Sequence, residues 1–151
     1  MNDAIDAWEI SNRINLYLLD AIPAEHFKDQ SASKGRTVGE QLAHIHNVRL
    51  MWLQASMPEL MSTVSKIEKE AITKKKIAEE FNKSGKAIGL LLEKGLATGK
   101  IKGFKPHAQA FLGYLIAHEA HHRGQIVLSL KQSGHHLDKK ILFGLWEWGT
   151  K

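Results

Sequence analysis

Apolar residues recur at helical spacing along four long segments of this chain, and no segment shows the strict alternation of a half-buried strand. The first segment runs from Asp3 to about Ile22. Ile5, Trp8, Leu16 and Leu19 share one face of it, with Asn12 among them, Asn2 or Asp3 is placed to cap it, and Pro23 stops it. A loop from Pro23 to Arg36 follows, carrying Ser31, Ser33, Gly35 and an isolated His26 with no evident chemistry. Thr37-Val38-Gly39-Glu40 then reads as a capping box, in which the threonine hydroxyl takes a free N–H and the glutamate returns to the cap. The second helix runs from there to about Ser56, and Pro58 ends it. Its stripe is Val38, Leu42, Ile45, Trp52 and Leu53, but Ala43, Val48, Leu50 and Met51 make it apolar nearly all round, as a helix buried on more than one side would be.

Glu59 to Ile72 has no single reading: a loop, a short helix capped by Ser65 with Glu68, or an early start of the third helix. Thr73 offers another cap, although Lys74, Lys75 and Lys76 oppose the helix dipole there. From Ile77 the pattern is clean, with Ile77, Phe81, Ser84, Ile88, Leu91, Leu92 and Gly95 in one stripe that continues to about Thr98. Gly99 to Lys105 is a glycine and lysine loop, and Pro106 suits the first turn of a fourth helix. That helix runs to about Ser133, where Gly134 fits a left-handed cap. The tail holds Leu137, Ile141, Leu142, Phe143, Leu145, Trp146 and Trp148, which must dock on the bundle. Trp146 and Trp148 alternate around Glu147, so the tail is expected to be extended and to seal one end of the core. The whole chain, 1–151, is expected to be one all-α domain, an antiparallel four-helix bundle.

Composition narrows the class. Hydrophobic content of 43% and charged content of 25% are those of an ordinary soluble domain. The absence of cysteine removes disulfides, thiolate ligands and a cysteine nucleophile. Neither a leader-like N-terminus nor a membrane-length apolar run is seen, which makes the cytoplasm the expected location. The net charge of +5 raises nucleic acid as a partner, but the basic residues are scattered and no aromatics interleave with them, so a solvated lysine-rich surface is the better reading.

The chemistry concentrates in Tyr114 to Gly134. His118 and His122 lie four residues apart, which on a helix stacks them one turn apart on one face. Phe111, Leu115, Gln125 and Ser129 fall within about 60° of His118, so the imidazoles sit on the inward stripe. Two converging neutral imidazoles are natural metal ligands; hydrogen-bonded core histidines are the plain alternative. On the second helix His44 and His46 flank the stripe on opposite sides, and either offers a third ligand. The helical wheel slightly favours His46, about 80° from Val38, over His44 at about 120° the other way.

His118-Glu119-Ala120-His121-His122 also fits H-E-x-x-H, in which two histidines bind zinc and the glutamate is the general base. The extended metzincin spacing fails, since the glycine, Gly124, comes one residue early. Glu147 is a conceivable third ligand, but nothing upstream offers the substrate-binding strand such enzymes use, and Glu119 lies about 100° off the histidine stripe. There it is better placed to orient a neighbour or face the third helix.

T-V-G-E-Q-L-A-H-I at 37–45, A-H-E-A-H-H-R-G-Q-I at 117–126 and Gly134-His135 together resemble the DinB family, over nearly the whole length of the chain. Its superfamily includes bacillithiol- and mycothiol-dependent S-transferases and a maleylpyruvate isomerase. The resemblance implies a DinB-type bundle in which His44, His118 and His122 hold a divalent metal, and so it disagrees with the wheel over His46. It also allows a homodimer. All-imidazole ligation favours zinc or nickel over iron or manganese. Three ligands leave an open position, where a water or a thiolate would be activated. With no cysteine in the chain, any thiol must arrive as a low-molecular-weight co-substrate. His121 and Gln125 are close enough along the helix to support the ligands or reach substrate, while Arg123 and Gly124 suit a surface or inter-helix charge and a close helix contact. The expected function is that of a metal-dependent S-transferase or hydrolase acting on a small molecule. The competing readings are a non-catalytic or stress-linked metal-binding bundle, a purely structural bundle, a metallopeptidase and a nucleic-acid-binding protein.

Overall fold

The computed structural model describes residues 2–151. Four long helices carry the fold: α1, Asp3–Ala21; α2, Val38–Ser56; α3, Lys74–Thr98; and α4, Ala108–Gln132. A short helix, α5, covers Lys139–Gly144. Among the described residues there is no strand, only an isolated bridge between Ile101 and Phe104 in the loop before α4. No described helix is long and apolar enough to cross a membrane.

The local signals act largely as expected. The Asn2 side chain accepts the Ala4 N–H at 2.8 Å and starts α1. At α2 the Thr37 hydroxyl accepts the Glu40 N–H at 3.2 Å and donates to the Glu40 carboxylate at 3.1 Å, so the glutamate returns to the cap through its hydroxyl. Helix α3 starts at Lys74, three residues before its clean stripe, with Thr73 as cap. The lysines there are tolerated because Lys74 Nζ reaches the neighbouring end of α1 and donates to the carbonyls of Asp20 and Ile22, at 2.8 and 3.0 Å, which no α1 N–H uses. Pro106 lies outside α4 and not in its first turn, because His107 takes the cap: its Nδ1 accepts the Ala110 N–H at 3.1 Å. Gly134, at φ +82°, closes α4 with paired bonds, its own N–H to Lys131 and the His135 N–H to Leu130.

The topology follows from which apolar residues meet. One cluster holds Trp8, Leu53, Ile88, Leu92, Phe111 and Leu115; the other holds Leu18, Leu42, Ile45, Ile77, Phe81 and Ile126. Helices α1 and α4 run from the first cluster to the second, and α2 and α3 run the other way. Met57 to Thr73 therefore carries the chain back along the bundle, with Val64 in the first cluster and Ile67 in the second. It does so through short 3₁₀ turns at Pro58–Thr63 and Lys69–Ala71, not through a helix capped by Ser65. The main antiparallel pairs are α1 with α3 and α2 with α4; α2 with α3 and α1 with α4 are parallel neighbours, so the bundle is not antiparallel throughout, and α1 and α2 hardly touch.

The tail departs from expectation. Lys139–Gly144 is helical, not extended, and a 3₁₀ turn covers Trp148–Thr150. Leu137, Ile141, Leu142 and Leu145 pack on the second cluster, yet Phe143 and Trp146 are 68% and 81% exposed. The tail is thus a strap laid along the bundle and not a lid sealing its end. It is seated on α1, where the Tyr17 hydroxyl occupies the space a side chain at Gly144 would need. Its far end is held by Lys151, whose ammonium lies 4.4 Å from the Tyr17 ring centroid and whose carbonyl accepts from Arg13 at 3.2 Å.

A polar layer separates the two apolar clusters on every helix. Arg49 Nε and Nη2 each donate to the Glu119 carboxylate at 2.7 Å, and Asn15 Nδ2 donates to it at the same distance. Arg123 Nη1 donates to Asn15 Oδ1 at 2.6 Å. Arg49 Nη1 donates to the Ser84 hydroxyl at 3.0 Å, and that hydroxyl lies 2.9 Å from His46 Nδ1. All of these side chains are buried. On α1 the core-facing amide is Asn15, with Asn12 set to its flank against Gly85.

Candidate metal centre

Helices α2 and α4 bring His44, His118 and His122 together. One ring nitrogen of each lies within 4.8 Å of those of the other two. The ring centroids are 4.6 Å apart for His44–His122 and for His118–His122, and 5.5 Å apart for His44–His118, with the rings tilted edge to face. Neither His46 nor Glu147 joins this group among the described residues.

The choice of His44 over His46 has a structural cause. Helix α2 packs on both α3 and α4, and a wheel centred on Val38 averages these two directions. His44 and Gln41 lie on the flank toward α4, and His46 lies on the flank toward α3 and the returning chain. Both nitrogens of His46 are engaged: Nε2–H donates to the Ser65 carbonyl at 2.7 Å, and Nδ1 accepts from Ser84 at 2.9 Å. It is a fully buried tether between helices.

Burial sets the protonation state of the three clustered rings. Desolvation lowers the pKa of His44, helped by Arg36 and His118. It lowers that of His118 as well, where Glu119 opposes the shift and His121 and Arg36 reinforce it. His122 is pushed down to about 4 by burial and then by His118, His44, His121 and Arg36. Three neutral imidazoles therefore face one another near neutral pH, each with a lone pair to give.

Two hydrogen-bonding facts show that the residues fit a cation. His122 Nδ1 lies 2.6 Å from Gln41 Oε1, an acceptor only, so Nδ1 carries the proton and Nε2 keeps its lone pair. His118 Nδ1 is buried with no hydrogen-bond partner, a costly arrangement unless something else satisfies the site. Gln41 was not anticipated from sequence, though it precedes His44 by three residues on one helix face, the position from which a supporting acceptor reaches a ligand on the next helix. His121 is exposed, 5.0 Å from His122 between ring centroids, and the Gln125 side chain makes no hydrogen bond among the described residues, so neither is bonded to a clustered histidine as Gln41 is. Gln41→Leu is expected to weaken zinc binding about 10–100-fold with the three histidines intact. A competition titration against a chromogenic chelator measures this, and unchanged affinity would remove Gln41 from the site.

Glu119 does not point at the histidines. In the core its carboxylate is held by three hydrogen bonds, two from Arg49 and one from Asn15, and pairing with a buried guanidinium makes it a poor base for a water beside His118. Of the two readings of Arg123, the inter-helix charge holds and the surface charge does not. Gly124 is not a close helix contact, because nothing lies within 4 Å of where its Cβ would be. A second group, His26, Asp29 and His135, ties the Pro23–Arg36 loop to the end of α4 through a 2.7 Å bond from His135 Nδ1 to Asp29. Its two imidazoles stack 3.8 Å apart with planes 4° from parallel, which sets their lone pairs side by side instead of converging.

A cleft of about 250 Å³ opens beside His44, with Arg36, Lys66 and Lys69 and also Glu40 and Glu68 on its walls. A family model described as the DinB family matches residues 1–139. No curated protein and no solved structure matches the chain.

Proposed function

The chain belongs to the DinB family, and from that premise and the histidine cluster we propose that it is a divalent-metal-dependent enzyme acting on a small molecule, by thiol S-transfer or hydrolysis. The observation that carries the reading is the convergence of three neutral imidazoles from two helices, with one of them oriented by Gln41. His44, His118 and His122 hold the ion, zinc or nickel by the chemistry of an all-imidazole set, and leave it a position open to substrate. When bound, the ion supplies Lewis-acid activation of a water or of a thiol co-substrate. The protein's own part is to keep the rings neutral by burial, to fix His122 through Gln41, and to present beside His44 a cleft where Arg36, Lys66 and Lys69 mix with Glu40 and Glu68, a lining suited to a polar small molecule. We place the reaction in the cytoplasm, where low-molecular-weight thiols are kept reduced.

Elemental analysis of protein purified without an affinity column is the test. About one transition-metal ion per chain, lost in His44→Ala and retained in His46→Asn, is the expected result. A protein that takes up no zinc or nickel on addition would sink the proposal. Metal bound without turnover of any thiol and electrophile pair or ester would leave binding and reject catalysis.

A further inference from the structure

On the flank of α4 turned away from the histidines, a groove of about 360 Å³ runs between that helix and the C-terminal strap. At about 100° per residue, Arg123, Gly124 and Val127 lie about 100°, 160° and 140° round α4 from His122, so this is not the cleft beside His44. We propose that the groove is a second ligand site, one that takes a small amphipathic carboxylate, its aromatic or aliphatic body between α4 and the strap and its charge on Arg123.

The walls are apolar. Val127 on α4 faces Leu142, Leu145, Trp146 and Trp148 of the strap. Mostly apolar walls, one buried polar group and a volume within the range of about 300–1,000 Å³ are the ordinary features of a small-molecule pocket. The strap is not loose, being held at Gly144 and Lys151 against Tyr17 and Arg13, so the groove is preformed. The large exposed surface of Trp146 at its rim has no role in the core.

Charge identifies the occupant. Arg123 is only 8% exposed and donates a single side-chain hydrogen bond, to Asn15. The nearby carboxylate, Glu119, accepts three hydrogen bonds from Arg49 and Asn15 and none from Arg123. Of the two guanidinium groups only that of Arg49 bonds this carboxylate, and the remaining N–H donors of Arg123 have no protein partner among the described residues. Burial works against the charge of Arg123, with Glu119 partly restoring it and Arg49 opposing it further. A carboxylate entering the groove completes the balance and accepts from a planar fork of donors, which a neutral ligand of the same shape cannot do.

The probe is 4-phenylbutyrate, with 4-phenylbutan-1-ol as its uncharged counterpart, titrated into ¹⁵N-labelled protein while the indole N–H signals of Trp146 and Trp148 are followed. Saturable shifts of both signals with the acid, at least about tenfold weaker binding of the alcohol, and loss of both in Gly124→Leu are expected. Gly124→Leu fills the groove from an open position and improves the propensity of α4, so its thermal midpoint does not fall. Equal affinity for acid and alcohol, no shift at millimolar acid, or binding that survives Gly124→Leu would each overturn the proposal. So would shifts that follow protein concentration instead of ligand, which would make the groove a contact between copies. The titration needs no metal, so its outcome is independent of the histidine site.

Discussion

Replacing Glu119 by glutamine is expected to destabilise the protein by about 3–5 kcal/mol, the usual effect of removing one partner of a buried ion pair. Arg49 and Arg123 would be left in the core with no bonded counter-charge, since among the described residues the only carboxylate hydrogen-bonded to Arg49 or Asn15 is that of Glu119. A loss of that size is a large part of the stability of a domain this long. Urea denaturation of chelator-treated protein measures it. Arg49→Met combined with Glu119→Gln should cost less than the sum of the two single changes, because the pair is then removed together. The result also separates two readings of H-E-x-x-H. If Glu119 were a general base, the glutamine variant would keep its stability and lose only activity. Unchanged unfolding with abolished turnover would therefore show that the core network is not what fixes this carboxylate.

The second large effect is acid sensitivity arising at His46. Burial first, then Arg49 and Lys76, push its pKa down to about 4, against the opposing influence of the Ser65 carbonyl and Glu80. In the unfolded chain an unperturbed histidine titrates near 6.5, so between about pH 6.5 and 4 the unfolded state takes up a proton that the native state refuses. Stability from this group is complete above that window and falls as pH drops through it, by about 3 kcal/mol in all. His44, His118 and His122 shift in the same direction, so the contribution of His46 is read as a difference. Urea unfolding of the wild type and His46→Asn, both with chelator, should converge as pH falls from 7 to 4.5. Parallel curves would mean that His46 does not titrate in the folded protein as its burial requires.

The bundle was legible because its signals are local. Thr37, Thr73 and Gly134 mark helix ends by groups within a few residues of themselves. His118 and His122 are fixed relative to each other by helix geometry alone. The polar layer was less legible: Arg49 sits in register with Leu42 and Leu53, where a basic residue in an apolar stripe is the visible hint, but its partner is on another helix. His135 was noted for its neighbour Gly134, and its stacking on His26 joins residues too far apart for any local pattern to show.

The sequence by itself determined the four helices, most of their ends, the inward pair on α4 and the family, because each rests on spacing along one helix or on a motif. Tertiary structure decided the rest. It chose His44 over His46, because α2 is buried on two sides and only packing says which flank meets α4. It turned Glu119 into the core beside Arg49 and gave the orienting role to Gln41. It made the tail a helical strap seated on Tyr17, since the short apolar pattern there fixes no period. Relative rotation and placement of helices arise from contacts between distant segments, and no periodicity within a segment records them.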